Sequence, residues 1–441
     1  MNIITFNNLL ILIISVVPCL CFGGNYTSYL TGNNTDIITK PSGGICLMGG
    51  SREDDNAMRW FLQKANGGDV LVLRTSGADG YNSYLYSELG VPINSVESIV
   101  CHNKLASYEP YIIQRIQQAE AIWFAGGDQW TYISYWRNTP IDSVINSAIK
   151  QRNIVVGGTS AGMAIQGQYY FSAQNGTVTS AQALSDPFNN RVTIDTSSFI
   201  KHNLLYNTIT ETHFDNPDRK GRLVAFLARI ITDYGVFARA IACDEYTAVC
   251  IDTNGIARVF GGHPNYDDNA YFIQSNCELK IKTPEKCSVG NPLTWDLDGL
   301  AIKTYKIKGD EKGSGTFDLN TWQSGTNGIW YKWYVSDGIF FEQPGTAINC
   351  SPLSIKDNSN FSEINIFPNP IADKLTIKSS NSTIDEYNIY IFNSLGKKLQ
   401  VKIIQMGNEY TLDLSNLTNG HYYLIIAKNN GKIYTRKIIK D

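Results

Sequence analysis

From about residue 43 to residue 160, short apolar runs alternate with longer stretches of helical spacing. GICLMGG, DVLVLRTSG, VESIVCHN, AIWFAGG and NIVVGG each hold an apolar run closed by glycine or a polar turn. Such runs suit a parallel sheet buried on both faces. Between them, SREDDNAMRWFLQKA (opened by Ser51 or Asp54), YEPYIIQRIQQAE and IDSVINSAIKQ carry apolar residues at helical period. The alternation predicts an α/β domain with a doubly wound sheet and a ligand site at the carboxyl ends of its strands.

The texture changes after about residue 255. Helical periodicity fades, and GTFDLNTWQSGTNGIWYKWYVSDGIFFE reads as strands and turns, giving a β-rich extension over 301–350. A polar linker at 351–362 precedes a last block, 363–441, in which YNIYIFNS, KLQVKIIQ, EYTLDLS, HYYLIIAK and KIYTRKIIK alternate with period two. That block predicts a small β-sandwich. At the other end, LLILIISVVPCLCF stops at Gly23-Gly24. The run is short for a membrane span and fits a signal peptide over 1–23, although MNIITFNN offers no Lys or Arg.

Charge narrows the partners. A formal net charge of -3 gives no reason to expect nucleic acid or an anionic membrane. A charged fraction of 17% suits an exported chain. Of nine cysteines, Cys19 and Cys21 fall in the leader, which leaves seven. Cys243 with Cys250, or Cys277 with Cys287, are near enough in sequence to pair, while Cys46 and Cys101 sit in apolar runs as buried thiols. No C-x-x-C or histidine-rich cluster suggests a metal, and no cofactor is expected.

Three motifs carry candidate chemistry. In VVGGTSAGMAI, Gly158 and Gly162 flank Ser160 where a strand turns into a helix, the crowded geometry of a nucleophile elbow. The Ala161 N–H then faces the site. In AIWFAGGDQWTYISYW, a strand ends at Gly126-Gly127, so the N–H groups of Gly127 and Ala161 form a candidate oxyanion hole. Asp128 is a helix cap, and Trp130, Tyr132, Tyr135 and Trp136 read as packing residues. In NTITETHFDNPDRKGRLVAFLARIITDYG, His213 closes a strand, Asn216 and Pro217 open a helix, and Arg219 and Arg222 could hold a carboxylate.

Strand-GGDQ, strand-GGTSAG and T-H-F…D-R-K-G-R-L together resemble the cyanophycinase branch of the peptidase E family, and CDEYTAVCIDTNGIARVF fits its later strands. The resemblance spans about 40–300. It implies a class I glutamine-amidotransferase-like fold and a serine peptidase acting on β-aspartyl-arginine, as in cyanophycin, or on related aspartyl peptides. By the same resemblance Ser160 is the nucleophile and His213 the general base, and Gln129, Glu211, Arg219 and Arg222 bind substrate. Thr212 stands where relatives tend to carry Gln, and Pro217 where they carry Arg. An isoaspartyl or α-aspartyl dipeptidase therefore stays open, as does a catalytically silent ligand-binding protein.

By the resemblance an orienting acid lies between Ser160 and His213, an interval holding Asp186, Asp195 and Glu211, with Gln182 where relatives carry Glu; Asp186 is the expected acid. The final block, with Phe367-Pro368-Asn369-Pro370 and Gly420-His421-Tyr422-Tyr423, resembles the C-terminal sorting domain of type IX secretion. Expected partners are then a peptide or polymer substrate and the type IX machinery, with a homodimer as an option. The expected location is extracellular or at the cell surface.

Overall fold

The five apolar runs of the N-terminal half lie side by side in a computed structural model describing residues 24–196, 199–350, 364–379, 387–393, 398–407, 409–428 and 433–440. The leader expected over 1–23 and the linker at 351–362 lie outside the described residues. The chain divides into two compact units, one ending at Asn349 and one beginning at Cys350.

In the first unit the chain runs β1 (Tyr26–Gly32), β2 (Gly44–Met48), α1 (Asp55–Lys64), β3 (Asp69–Arg74), β4 (Ser95–Cys101), α2 (Pro110–Gln118), β5 (Ala121–Phe124), α3 (Gln129–Trp136), α4 (Pro140–Arg152), β6 (Val155–Thr159) and α5 (Ala161–Ala164). It continues through β7 (Tyr170–Phe171), α6 (Ser180–Ser185), β8 (Ile194–Asp195), β9 (Thr208–Glu211), α7 (Lys220–Tyr234), β10 (Arg239–Cys243), β11 (Ala248–Ile251), β12 (Ile256–His263) and β13 (Asn269–Ser275). Last come β14 (Ile302–Lys308), β15 (Gly315–Asp318), β16 (Gly325–Thr326), β17 (Gly328–Ser336) and β18 (Ile339–Pro344).

A ten-stranded sheet has the order β1-β4-β3-β5-β6-β2-β11-β12-β15-β16. Its β4-β3-β5-β6-β2 stretch is parallel, and its flanks are antiparallel. Helices cover the parallel stretch. Asp54 caps α1 by accepting from the Ala57 N–H, and Met58, Phe61 and Leu62 turn inward. Ile112, Ile116, Ile141 and Ile145 of α2 and α4 pack with Ile122 and Val156 in a separate cluster. A six-stranded sheet, β18-β17-β14-β13-β10-β9, shares a core with the first through Leu47, Val249, Val259, Phe272 and Phe317. The α7 stripe, with Val224, Leu227 and Ile230, packs with Ile273 and Trp333 of that second sheet.

Residues 302–344 are not an appended layer. β14 pairs with β13 in one sheet, and β15 pairs with β12 in the other. The helix after His213 also starts later than the Asn216-Pro217 signal suggests. Arg219 is its N-cap, because the Arg219 N–H bonds back to the Phe214 carbonyl at 3.0 Å and closes an intervening loop. The cysteine pairing differs as well. Cys277 is disulfide-bonded, but not to Cys287, because Cys243, Cys250 and Cys287 are free thiols. Cys243 and Cys250 sit buried on separate strands, and Cys250 faces Cys46 across the β2–β11 pair.

In the second unit, strands Ile364–Phe367, Lys374–Ser379, Glu409–Asp413 and Lys402–Met406 form one antiparallel sheet. A second sheet holds Lys398–Leu399, Tyr387–Asn393, Gly420–Lys428 and Ile433–Lys440. Leu375, Ile377 and Leu412 of one sheet meet Leu424, Ile426 and Ile438 of the other, a sandwich core.

Candidate active site

The site forms where β6, β9 and the β10–β11 turn end together. β6 is flanked by β5 and β2, so its carboxyl end lies in the middle of the parallel stretch. There Ser160 adopts φ 52°, ψ -116°, and α5 begins one residue later. A non-glycine residue in that conformation stores about 1–3 kcal/mol of backbone strain. The turn admits no side chain beneath it, since a Cβ on Gly158 would lie 2.6 Å from the Gly162 carbonyl carbon. The Ser160 N–H bonds to the Met48 carbonyl at 3.1 Å, which anchors the elbow to β2.

β9 delivers the histidine. Thr210 donates to the Met163 carbonyl at 2.8 Å and so ties β9 to α5. His213 follows in a left-handed conformation, φ 45°, with its N–H on the Gly49 carbonyl at 2.8 Å. Its Nε2 lies 2.9 Å from Ser160 Oγ, and its Nδ1 lies 2.6 Å from Glu245 Oε1. The Glu245 carboxylate accepts, so the ring hydrogen belongs on Nδ1, which leaves Nε2 to accept from the Ser160 hydroxyl. Partial burial pushes the Glu245 carboxyl up. Hydrogen bonds with His213, Ser51 and Asn216 outweigh it and hold the group below the usual carboxylate value.

Glu245, and not Asp186, therefore meets the imidazole. Asp186 ends α6 and spends Oδ1 on the N–H groups of Phe188 and Gly290, at 2.9 and 3.0 Å. Gln182 is the return arm of a capping box with Thr179, and Asp195 pairs with Arg137. Glu245 follows the histidine in the chain and so falls outside the Ser160–His213 interval. Its signal is the acidic pair Asp244-Glu245 directly after a strand, in CDEYTAVC.

Gly126 and Gly127 close β5 beside the elbow; a Cβ on Gly126 would sit 3.6 Å from Ser160 Cβ. Tyr132 contributes more than packing, since its hydroxyl lies 2.9 Å from both the Ala125 and Gly126 carbonyls and fixes that loop. The N–H groups of Gly127 and Ala161 have no acceptor among the described residues. Gln129, the first residue of α3, turns its amide to the Phe171 carbonyl at 3.2 Å.

The expected substrate-binding acid and arginines divide. Glu211 and Arg222 are both buried and meet in a two-point pair, at 2.7 and 3.0 Å. Arg222 also donates to Thr177 and to the Val178 carbonyl, so it is committed to the protein rather than open to a carboxylate. Burial pushes the Glu211 carboxyl up, but Arg222 and Arg219 outweigh it and hold it low. Arg219 donates to the Thr212 carbonyl at 2.9 Å, and its Nε has no partner among the described residues. Arg219 also lies 3.6 Å from Glu211, a looser contact than that of Arg222.

A cavity of about 730 Å³ lies beside the Glu245 turn, lined by Arg52, Glu53, Asp55, Tyr246, Tyr266 and Glu311 among others. A larger one of about 790 Å³ lies at the opposite end of the strands, around Gly44 and Ile154, away from Ser160.

Residues 81–257 match the sequence profile of peptidase family S51. The chain is 22% identical over 227 residues to a cyanophycinase of Synechococcus elongatus, covering 49% of itself and 66% of that relative. It therefore spans just under two thirds of that protein's length. A cyanophycinase of Geminocystis herdmanii is 24% identical over 221 residues, covering 46% of this chain and 76% of that one. A solved peptidase from an acI-B1 Actinobacterium aligns at a TM-score of 0.39 and 15% identity, over 53% of this chain and 91% of the other. The S51 match ends before β13, so β13–β18 lie outside it. Residues 365–441 match a secretion system C-terminal sorting domain, which marks this chain for type IX export to the exterior or the cell surface. Among the described residues no helix is long and apolar enough to cross a membrane.

Proposed function

We propose that this protein is a secreted serine peptidase that hydrolyses β-aspartyl-arginine linkages, as in cyanophycin, or related aspartyl peptides. The observation that carries the reading is the Ser160–His213–Glu245 chain of hydrogen bonds, 2.9 and 2.6 Å, on a strained Ser160. His213 Nε2 takes the Ser160 proton as Oγ attacks the amide carbonyl, and Glu245 steadies the resulting imidazolium. The N–H groups of Gly127 and Ala161 receive the oxyanion, each donor contributing on the order of 10²–10³ in rate. The tetrahedral intermediate collapses, His213 returns its proton to the leaving amine, and the acyl-enzyme remains. Water, deprotonated by the same nitrogen, then releases the acid product.

Arg219 supports binding of a carboxylate, because its guanidinium rests on the Thr212 carbonyl, next to His213, and is less tightly engaged by Glu211 than Arg222 is. The cavity lined by Glu53, Asp55 and Glu311 supports a cationic side chain next to it. A second reading, an isoaspartyl or α-aspartyl dipeptidase, rests on Thr212 and Pro217, which replace the Gln and Arg of the cyanophycinase pattern. The sorting domain supports the type IX machinery as a partner during export.

The decisive experiment incubates the protein and Ser160→Ala with cyanophycin, β-Asp-Arg and β-Asp-Leu, and follows released amine. The expected result is turnover of the arginine-containing substrates, lost in Ser160→Ala. Equal turnover by both proteins would remove Ser160 from the mechanism. Preference for β-Asp-Leu would favour the dipeptidase.

A further inference from the structure

The loop that follows His213 folds over the turn that carries Glu245. The Phe214 N–H bonds to the Cys243 carbonyl at 3.1 Å, which brings the end of β10 against the loop. The Glu245 N–H then donates to Asp215 Oδ1 at 2.9 Å. Asn216 turns its side-chain amide toward Glu245 Oε2 at 3.4 Å. One four-residue segment, His213 to Asn216, thus carries the base and also grips the acid that faces it.

The grip answers a geometric need. Glu245 sits in a short turn between β10 and β11, followed by Tyr246 in a left-handed conformation, φ 61°. A glutamate has three side-chain torsions, and one hydrogen bond to an imidazole does not fix them. Anchoring the backbone N–H sets where the side chain starts, and the Asn216 contact limits where it ends. Asp215 is exposed and makes no ion pair among the described residues, so its carboxylate is free to serve the Glu245 N–H.

We propose that Asp215 is a positioning residue: its carboxylate holds the Glu245 backbone so that, with Asn216 on the side chain, the Glu245 carboxylate stays on His213 Nδ1. The proposal rests on the reading of Ser160, His213 and Glu245 as nucleophile, base and orienting acid. Asp215 touches neither substrate nor the reacting atoms.

The test uses the full chain and a fluorophosphonate, which reacts with an activated serine whatever the natural substrate. Maximal labelling rate and half-saturating concentration of Ser160 are measured separately. Asp215→Ala should slow the maximal rate about 10-fold with half-saturation unchanged, the scale of loss from a slightly misplaced catalytic group. Asp215→Asn keeps an oxygen acceptor for the N–H and should restore the rate to within about 2-fold. Glu245→Gln should slow labelling on the order of 10³-fold, and adding Asp215→Ala to it should slow it no further, because the two act through one contact. Asn216→Ala removes a single exposed contact and serves as a second variant, expected to slow labelling about 3-fold.

Normal labelling of Asp215→Ala beside a slow Glu245→Gln would overturn the proposal alone. So would equal slowing by Asp215→Ala in both backgrounds, or an Asp215→Asn as slow as Asp215→Ala. Failure of the unaltered protein to label at Ser160, or a Glu245→Gln that labels normally, would instead sink the underlying reading.

Discussion

A β-carbon on Gly50 would lie 2.3 Å from His213 Nε2, closer than any real contact, and Gly50 itself has φ +117°. Glycine is required there twice, for the conformation and for the space the imidazole occupies. Gly50→Ala should therefore displace His213 and lower turnover about 100-fold, the scale of a 1 Å misplacement. Comparing its kcat with a melting curve checks that the fold survives. The same two residues show how unevenly the site reads from sequence. Ser160 was legible because its requirements are local: small neighbours, a strand before, a helix after. Gly50 was not, because what it makes room for lies 163 positions away in the chain, brought close in the fold by the hydrogen bond from the His213 N–H to the Gly49 carbonyl. Glu245 was equally hidden. The chain order Ser160, His213, Glu245 puts the acid last, so the interval between serine and histidine does not contain it.

At the scale of elements, two buried carboxyls govern how β9 and β10 hold the site. Glu211 ends β9 and faces Arg222 of α7, both nearly inaccessible to water. Glu211→Gln leaves the guanidinium without its counter-charge and should destabilise the first unit by about 3–5 kcal/mol, read from urea unfolding. Asp244, just past β10, behaves in the opposite sense. Burial pushes its carboxyl from 3.8 up to about 7, against a hydrogen bond from Asn269. The unfolded chain gives up this proton near 3.8 and the folded chain holds it to about 7, so stability is lost as the pH rises across that window. Asp244→Asn should flatten the decline and raise the melting temperature at pH 8 by about 2–4 °C, the shift expected for about 1 kcal/mol in a large domain. Strand and helix order was visible in the apolar pattern, since each element is fixed by its own spacing. The start of α7 was not, because Asn216, a good cap by type, is drawn to Glu245 instead.

For the whole molecule, the two units make separable predictions. Removing 363–441 from a host with type IX secretion should leave the protein cell-associated, while the extracted chain keeps its turnover; fractionation and assay of each compartment check this. Removing 302–344 should abolish folding altogether. β14 is an inner strand of the six-stranded sheet, and Phe317 and Tyr305 belong to the core shared by both sheets. Soluble yield and far-UV circular dichroism report the outcome. The same deletion separates a true extension from an integral part, a distinction that strand spacing alone did not make.

The sequence by itself determined the alternation of buried strands and covering helices, the elbow at Ser160, the strand that leads to His213 and the period-two sandwich near the C-terminus. All of these follow from residues within one or two turns of each other, where backbone sterics and side-chain period act. Tertiary structure alone decided that Glu245 meets His213, that Arg222 is spent on Glu211, that Cys243, Cys250 and Cys287 stay free thiols, and that β14 and β15 complete two sheets. Those outcomes depend on which strands pair and in what register. Register is set by burying whole faces at once, so no single segment of the chain contains it.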